Sequence, residues 1–136
     1  MISVVPYPNS VEMKSGTFHA AGADFHLDPT MDELSENYVL NFFSHLNTVS
    51  GKVGTCTKES SGPGFNFKVN DGIKKEGYRI NITRNKVLVE ASDLNGFIYA
   101  VQTIKQMLPA AIYGEGQATE EDWTLPCCEI DDAPRF

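Results

Sequence analysis

The chain has 136 residues, enough for one domain with a single hydrophobic core. Hydrophobic residues make up 41% and charged residues 21%, a composition typical of a folded globular domain rather than a disordered segment. Eighteen acidic and eleven basic residues give a formal net charge of −7, and no basic stripe is present to replace the counterions of a nucleic acid. This balance argues against a nucleic acid as a partner.

No apolar run approaches the roughly 20 residues that a membrane-spanning helix requires. Met1 is followed directly by Ile-Ser-Val-Val-Pro, without a basic region or an apolar segment of signal-peptide type, so no signal peptide is predicted within this segment. That absence does not fix a compartment, since a chain lacking its leader has the same appearance.

The N-terminal stretch, up to about residue 28, is divided by prolines and glycines into short apolar pieces, which predicts brief strands joined by turns. Pro6 and Pro8 favour the edge of a sheet, where no ladder N–H is needed. A first helix is predicted next, with Thr30 and Glu33 at capping-box spacing and Gly51 as a left-handed C-cap. Its buried stripe is predicted to contain Leu34, Tyr38, Phe42, Leu46 and Val49, widened by Val39 and Phe43.

After a loop at Ser60 to Gly64, three runs alternate apolar and polar residues: FNFKV, YRINIT and KVLVEA. Arg84-Asn85 separates the last two at hairpin spacing, so the three runs predict an antiparallel meander with one buried face. A second helix follows, capped by Ser92 or Asp93 and ended by Pro109. Its predicted buried stripe is Phe97, Val101, Ile104 and Leu108.

Gly96 and Ala100 are small residues at helical spacing, which predicts a close approach of the second helix to the sheet. The last predicted strand is WTLPCCEI, ending at Ile130. The predicted fold class is α+β: a mainly antiparallel sheet with two helices packed on one face, in one domain covering residues 1–136.

The carboxylates near the end of the chain are candidates for acid/base chemistry or for a hard metal ion. Glu129, Asp131 and Asp132 lie within four residues, but neighbouring side chains on an extended segment diverge, and no calcium-loop pattern supports them. We interpret them as solvated or backbone-capping groups. The run from Glu120 to Asp122 is interpreted as a surface loop.

The histidines and cysteines do not form a recognisable site. His19, His26 and His45 fit no metal-ligand spacing, and Cys56, Cys127 and Cys128 form neither a CxxC pattern nor a disulfide framework. We interpret the thiols as small buried apolar groups, with Cys127 and Cys128 on opposite faces of a strand. Ser60-Ser61-Gly62 lacks a nucleophile-elbow pattern, and no phosphate-binding glycine loop is present. No catalytic, cofactor-binding or metal-ligating residue is predicted.

Three stretches together resemble the small N-terminal domain of glycoside hydrolase family 20, the β-N-acetylhexosaminidases. They are VVPYPNSVEMKSGTF, then EGYRINITRNKVLVEASDLNGFIYAVQTIKQML, and finally WTLPCCEIDDAPRF, which is similar to that family's approach to its catalytic barrel. The resemblance spans nearly the whole chain, and its second and third stretches are the specific ones.

The resemblance implies an accessory module beside a TIM barrel that carries the chemistry and is absent from residues 1–136. Such enzymes release terminal N-acetylglucosamine or N-acetylgalactosamine, using the 2-acetamido group of the substrate as nucleophile and an adjacent Asp-Glu pair. No position here matches that pair, and Asp131-Asp132 is not its counterpart. The resemblance also implies no cofactor, a glycan substrate bound through the barrel, and a periplasmic, cell-surface or secreted parent protein.

Three alternatives remain open from the sequence. Related modules precede the barrels of O-GlcNAc hydrolases and α-glucuronidases. A carbohydrate-binding or protein-docking module is a second alternative, motivated by Tyr113 and Trp123 in the AIYGEGQATEEDW segment. The third is a small independent enzyme that uses the C-terminal carboxylates.

Overall fold

A computed structural model describes residues 2–58 and 61–134. In chain order the elements are β1 (Ser10–His19), β2 (Phe25–Leu27), α1 (Glu33–Ser50), β3 (Cys56–Thr57), β4 (Gly64–Val69), β5 (Tyr78–Ile82), β6 (Lys86–Ala91), α2 (Leu94–Met107) and β7 (Thr124–Asp132). A short 3-10 helix at Ala110–Tyr113 follows α2. Ser60, Arg135 and Phe136, which the sequence places in a loop and in the C-terminal motif, lie outside the described residues.

The strands of the described residues form one mixed sheet in the order β1-β7-β5-β6-β4-β2-β3. The pairs β1–β7, β7–β5 and β5–β6 are antiparallel, whereas β6–β4, β4–β2 and β2–β3 are parallel. The predicted α+β class is confirmed. The predicted meander of β4, β5 and β6 is wrong, because β4 lies parallel to β6 and β5 pairs with β6 and β7. Alternation fixes which face a strand buries, but it carries no information about its neighbour.

Both helices pack on the same face of the sheet, as predicted. Phe65 and Phe67 alternate on β4 and therefore point to one side. The ring of Phe65 meets Phe42 of α1 at 5.9 Å between centroids, and Phe67 meets Phe97 of α2 at 6.5 Å. The ring of Phe25 on β2 contacts both Phe65 and Phe67, so a cluster of aromatic rings forms the centre of the core.

The first helix begins at a different cap from the predicted one. Asp32 is the N-cap, and its carboxylate accepts hydrogen bonds from the N–H of Ser35 at 3.0 Å and the hydroxyl of Ser35 at 2.6 Å. Thr30 instead donates to Asp28 in the preceding turn. Gly51 is the left-handed C-cap with φ 74°, as predicted. Since the helix starts later, Leu34 falls in its first turn and is 65% exposed, so its predicted burial is wrong.

The second helix agrees closely with its sequence pattern. Asp93 is the N-cap and accepts from the N–H of Gly96 at 2.9 Å. All four residues of the predicted stripe are buried. A β-carbon at position 96 would overlap the carbonyl oxygen of Gly77 and lie 2.8 Å from Cβ of Ala91. The close approach predicted from Gly96 is therefore confirmed.

Candidate functional site

The three C-terminal carboxylates lie on β7, which continues two residues beyond its predicted end. Asp131 pairs with Nε of Arg79 at 3.2 Å, and Glu129 pairs with Nζ of Lys14 at 3.4 Å. Asp132 accepts a hydrogen bond from the backbone N–H of Asn9 at 3.0 Å. Each carboxylate thus has its own structural partner, and the three do not converge on a common point.

The three histidines lie in separate places. His26 contacts the hydroxyl of Thr57 and the carbonyl of Pro63, whereas Nε2 of His45 lies 2.6 Å from the carbonyl oxygen of Ile112. His19 is the last residue of β1. Within residues 2–58 and 61–134, no group of three His, Cys, Asp or Glu side chains is placed to hold a metal ion.

The cysteines are free thiols that belong to the sheet. Cys127 and Cys128 are buried, as predicted, and Cys56 is half-buried. Burial raises the pKa of the Cys128 thiol to about 11, and it also raises the pKa of Cys56. A raised thiol pKa disfavours the thiolate that would act as a nucleophile or metal ligand.

The two aromatic side chains that motivate the carbohydrate-binding or protein-docking alternative differ in their exposure. Trp123 is 4% exposed, and its indole N–H donates to the carbonyl oxygen of Ala118 at 2.8 Å. Its ring is therefore part of the core and has no face free for a ligand. Tyr113 is 63% exposed and lies beside a shallow recess that Tyr38 and His45 also line.

The C-terminal end of the described chain is held firmly by the rest of the domain. It emerges from β7, which is paired on one side with β1 and on the other with β5. Beyond the strand, the side chain of Asn9 donates to the carbonyl of Ala133 at 3.1 Å, and Nζ of Lys74 donates to the carbonyl of Pro134 at 3.1 Å. The path of the chain is therefore fixed up to residue 134.

A recess of about 510 Å³ lies where this segment meets the N-terminus and α2, and we name it the exit groove. It is lined by residues 4–6, by α2 and by residues 132–134, together with Glu76 and Tyr78. Val5 and Tyr99 both belong to this lining and are 80% and 42% exposed.

Several polar groups that line the exit groove are hydrogen-bonded to one another. The hydroxyl of Tyr78 lies 2.6 Å from the hydroxyl of Thr103 in a buried hydrogen bond. Burial raises the pKa of Tyr78 to about 12. Gln106 binds Val5 through both backbone groups: its Oε1 accepts from the N–H at 2.7 Å and its Nε2 donates to the carbonyl at 3.2 Å.

The sequence interpretation did not identify the exit groove. The groove joins residues about a hundred positions apart, as the Val5–Gln106 pair shows, and periodicity within one element cannot reveal such a contact. One signal was present: Tyr99 is a large aromatic residue outside the buried stripe of α2.

The fold matches one domain of several multidomain enzymes. A GH20 β-N-acetylhexosaminidase from Streptomyces coelicolor A3(2) superposes with a TM-score of 0.83 at 24% identity, over 95% of this chain and 26% of that one. A mutant Streptomyces plicatus β-hexosaminidase in complex with the product GlcNAc gives 0.83 at 23% identity, covering 98% and 26%. The β-N-acetylhexosaminidase of Bacteroides fragilis NCTC 9343 gives 0.69 at 26% identity, covering 97% and 25%. This chain thus shares its fold with about a quarter of each of these proteins.

The sequence comparison identifies the family itself. The model described as glycosyl hydrolase family 20, domain 2, matches residues 1–133, and the chain belongs to this family. This domain is the non-catalytic domain of the family, so the resemblance stated from the sequence is confirmed. The match favours this family over the related modules of O-GlcNAc hydrolases and α-glucuronidases. A β-hexosaminidase from Vibrio furnissii is 23% identical over 137 residues, covering 99% of this chain and 20% of that protein. The chain thus spans about a fifth of that relative and about a quarter of the structures cited above.

Proposed function

We propose that this chain is the N-terminal accessory domain of an exo-acting β-N-acetylhexosaminidase whose catalytic TIM barrel follows residue 136. The family match over residues 1–133 carries the proposal. The parent protein would hydrolyse terminal N-acetylhexosamine residues from glycans with retention of configuration, and the chemistry would reside in the barrel. No cofactor is proposed, and no residue of this chain is assigned a catalytic role.

The accessory domain would support the barrel mechanically. Its last strand lies inside the sheet, and Asn9 and Lys74 bind the segment that follows. A domain attached at such a point has a defined position, whereas a flexible linker would leave it free to move. The bacterial β-hexosaminidase relative supports an extracellular, cell-surface or periplasmic location for the parent. No helix in the described part of the chain is long and apolar enough to cross a membrane.

The proposal is tested by hydrolysis of p-nitrophenyl N-acetyl-β-glucosaminide. The 136-residue chain should show no turnover above buffer, and the full-length parent should hydrolyse the substrate with retention. Robust turnover by the 136-residue chain alone would overturn the non-catalytic assignment, and an inactive parent would overturn the assigned activity.

A carbohydrate-binding role is the second candidate, and the exposed ring of Tyr113 is the observation that favours it. Trp123 no longer supports this role because its ring is buried. Calorimetric titration with chitooligosaccharides tests the idea: binding that Tyr113→Ala abolishes would support it, and an absence of heat would exclude it.

A further inference from the structure

The strand β1 lies at one edge of the sheet, with its outer side open. It is ten residues long, and among residues 2–58 and 61–134 it pairs with β7 alone. Its middle residues, Glu12 to Ser15, are exposed. The free N–H and C=O groups of an edge strand can pair with a strand of another molecule, and natural sheets usually carry a device that prevents such pairing.

The sequence of β1 suits one partner in particular, which is a second copy of the same strand. Two antiparallel copies centred on Met13 would place Glu12 of each copy opposite Lys14 of the other. Opposite charges at facing positions stabilise a strand pair, whereas like charges destabilise it. Met13 is 42% exposed and would face its own counterpart on the two-fold axis. A regular β1 would therefore be complementary to itself.

The strand is not regular at this point, because a β-bulge interrupts it. Met13 lies opposite Cys128, and Thr17 lies opposite Pro126. Three residues of β1, numbers 14–16, therefore face a single residue of β7. Such extra residues bend the strand and leave the ladder locally disrupted. A second copy that paired as far as Met13 would find no straight edge beyond it.

The bulge is held in place from both ends. Gly16 has a φ of 104°, in the left-handed region that favours glycine. Arg84 belongs to the turn between β5 and β6, and its side chain reaches past β7 to Gly16. A β-carbon at position 16 would overlap Nε of Arg84 and lie 3.2 Å from its Cγ. At the other end, Nζ of Lys14 pairs with Glu129 of β7 at 3.4 Å.

We propose that this bulge keeps β1 from pairing with a second copy of the chain. The strand has the length and the charge pattern for self-association, and the packing of Arg84 against Gly16 maintains the irregularity that prevents it. The inference is independent of the proposed function, because every residue on which it rests lies in β1, β7 or the turn between β5 and β6.

The test is deletion of Ser15 and Gly16 from the 136-residue chain. This deletion removes the two extra residues and leaves Lys14 to face β7 in regular register. In sedimentation equilibrium the unaltered chain should have the monomer mass of 15.0 kDa, and the deletion variant should have twice that mass at the same concentration. The matched control adds Glu12→Lys to the deletion. It places a lysine opposite Lys14 of the other copy and should restore the monomer mass.

Three results would overturn the inference. The first is a deletion variant that is folded, as judged by circular dichroism and Trp123 fluorescence, and remains monomeric. The second is association of the deletion variant that Glu12→Lys does not reverse, because that contact would lie elsewhere. The third is dimerisation of the unaltered chain that Glu12→Lys abolishes, because the bulge would then not prevent pairing.

A second variant decides the question if the deletion prevents folding. Arg84→Ala leaves the length of β1 unchanged and removes the side chain that packs against Gly16. We expect it to lower the Kd for self-association at least roughly tenfold relative to the unaltered chain, and Glu12→Lys should again reverse the effect. An unchanged Kd in Arg84→Ala would then refute the inference.

Discussion

Replacing Gly96 by alanine should destabilise the domain, although the same change in an ordinary helix stabilises it. Alanine is favoured over glycine by about 1 kcal/mol inside a helix. Here, however, the new β-carbon would overlap the carbonyl oxygen of Gly77 and approach Cβ of Ala91 to 2.8 Å. Neither atom belongs to a flexible side chain, so α2 must move away from the sheet. Overpacking of this kind costs about 1–3 kcal/mol, with more for rigid neighbours.

We therefore expect Gly96→Ala to lower the free energy of unfolding by up to about 2 kcal/mol, once the gain in helix propensity is subtracted from the cost of overpacking. Urea unfolding of the 136-residue chain measures it, with the fluorescence of Trp123, the single tryptophan, as the probe. Asn95→Ala is the control, because Asn95 is an exposed neighbour in the same helix and should be neutral or stabilising. A variant at position 96 that is more stable than the parent chain would refute the close-approach argument.

Three further predictions follow from the caps and the buried titratable groups. Asp32→Ala should lower the free energy of unfolding by about 0.5–2 kcal/mol, whereas Thr30→Ala should have a smaller effect on the urea midpoint because Thr30 is not the cap. The pKa of Tyr78 is raised from 10.0 to about 12 in the folded state. The contribution of its neutral hydroxyl to the free energy of unfolding is therefore complete below pH 10 and is lost as the pH rises through 12. Tyr78→Phe should remove up to about 3 kcal/mol of the fall in stability measured across that interval. Native Cys127 and Cys128 should resist a disulfide reagent at pH 8 and react fully in urea, and rapid native reaction would contradict their burial.

The sequence predicts the elements of this fold better than their arrangement. The stripe of α2 and the Gly96 approach are visible because they depend on residues a few positions apart in one element. The N-cap of α1 was predicted at Thr30 but is Asp32, two residues later. Both side chains can cap a helix, and Asp32 is the cap because it accepts two hydrogen bonds from Ser35. Strand order depends on contacts between distant segments, such as β4 beside β6, which alternation does not encode.

The exit groove lay beyond prediction for a similar reason. Its walls come from both ends of the chain and from α2, and they meet only because β7 is inserted between β1 and β5. The groove therefore depends on the strand order, which the sequence pattern did not predict.

The last strand also explains why the end of the chain resembles an active site. Along β7, Cys128 and Ile130 are buried while Glu129 and Asp131 alternate with them and pair with Lys14 and Arg79. Cys128 thus lies on one face of the strand and the carboxylates Glu129 and Asp131 lie on the other, each paired with a cation of a neighbouring strand. Because both edges of β7 are paired, a force applied to the end of the chain is borne by the sheet itself. This arrangement suits the supporting role that we propose for the domain.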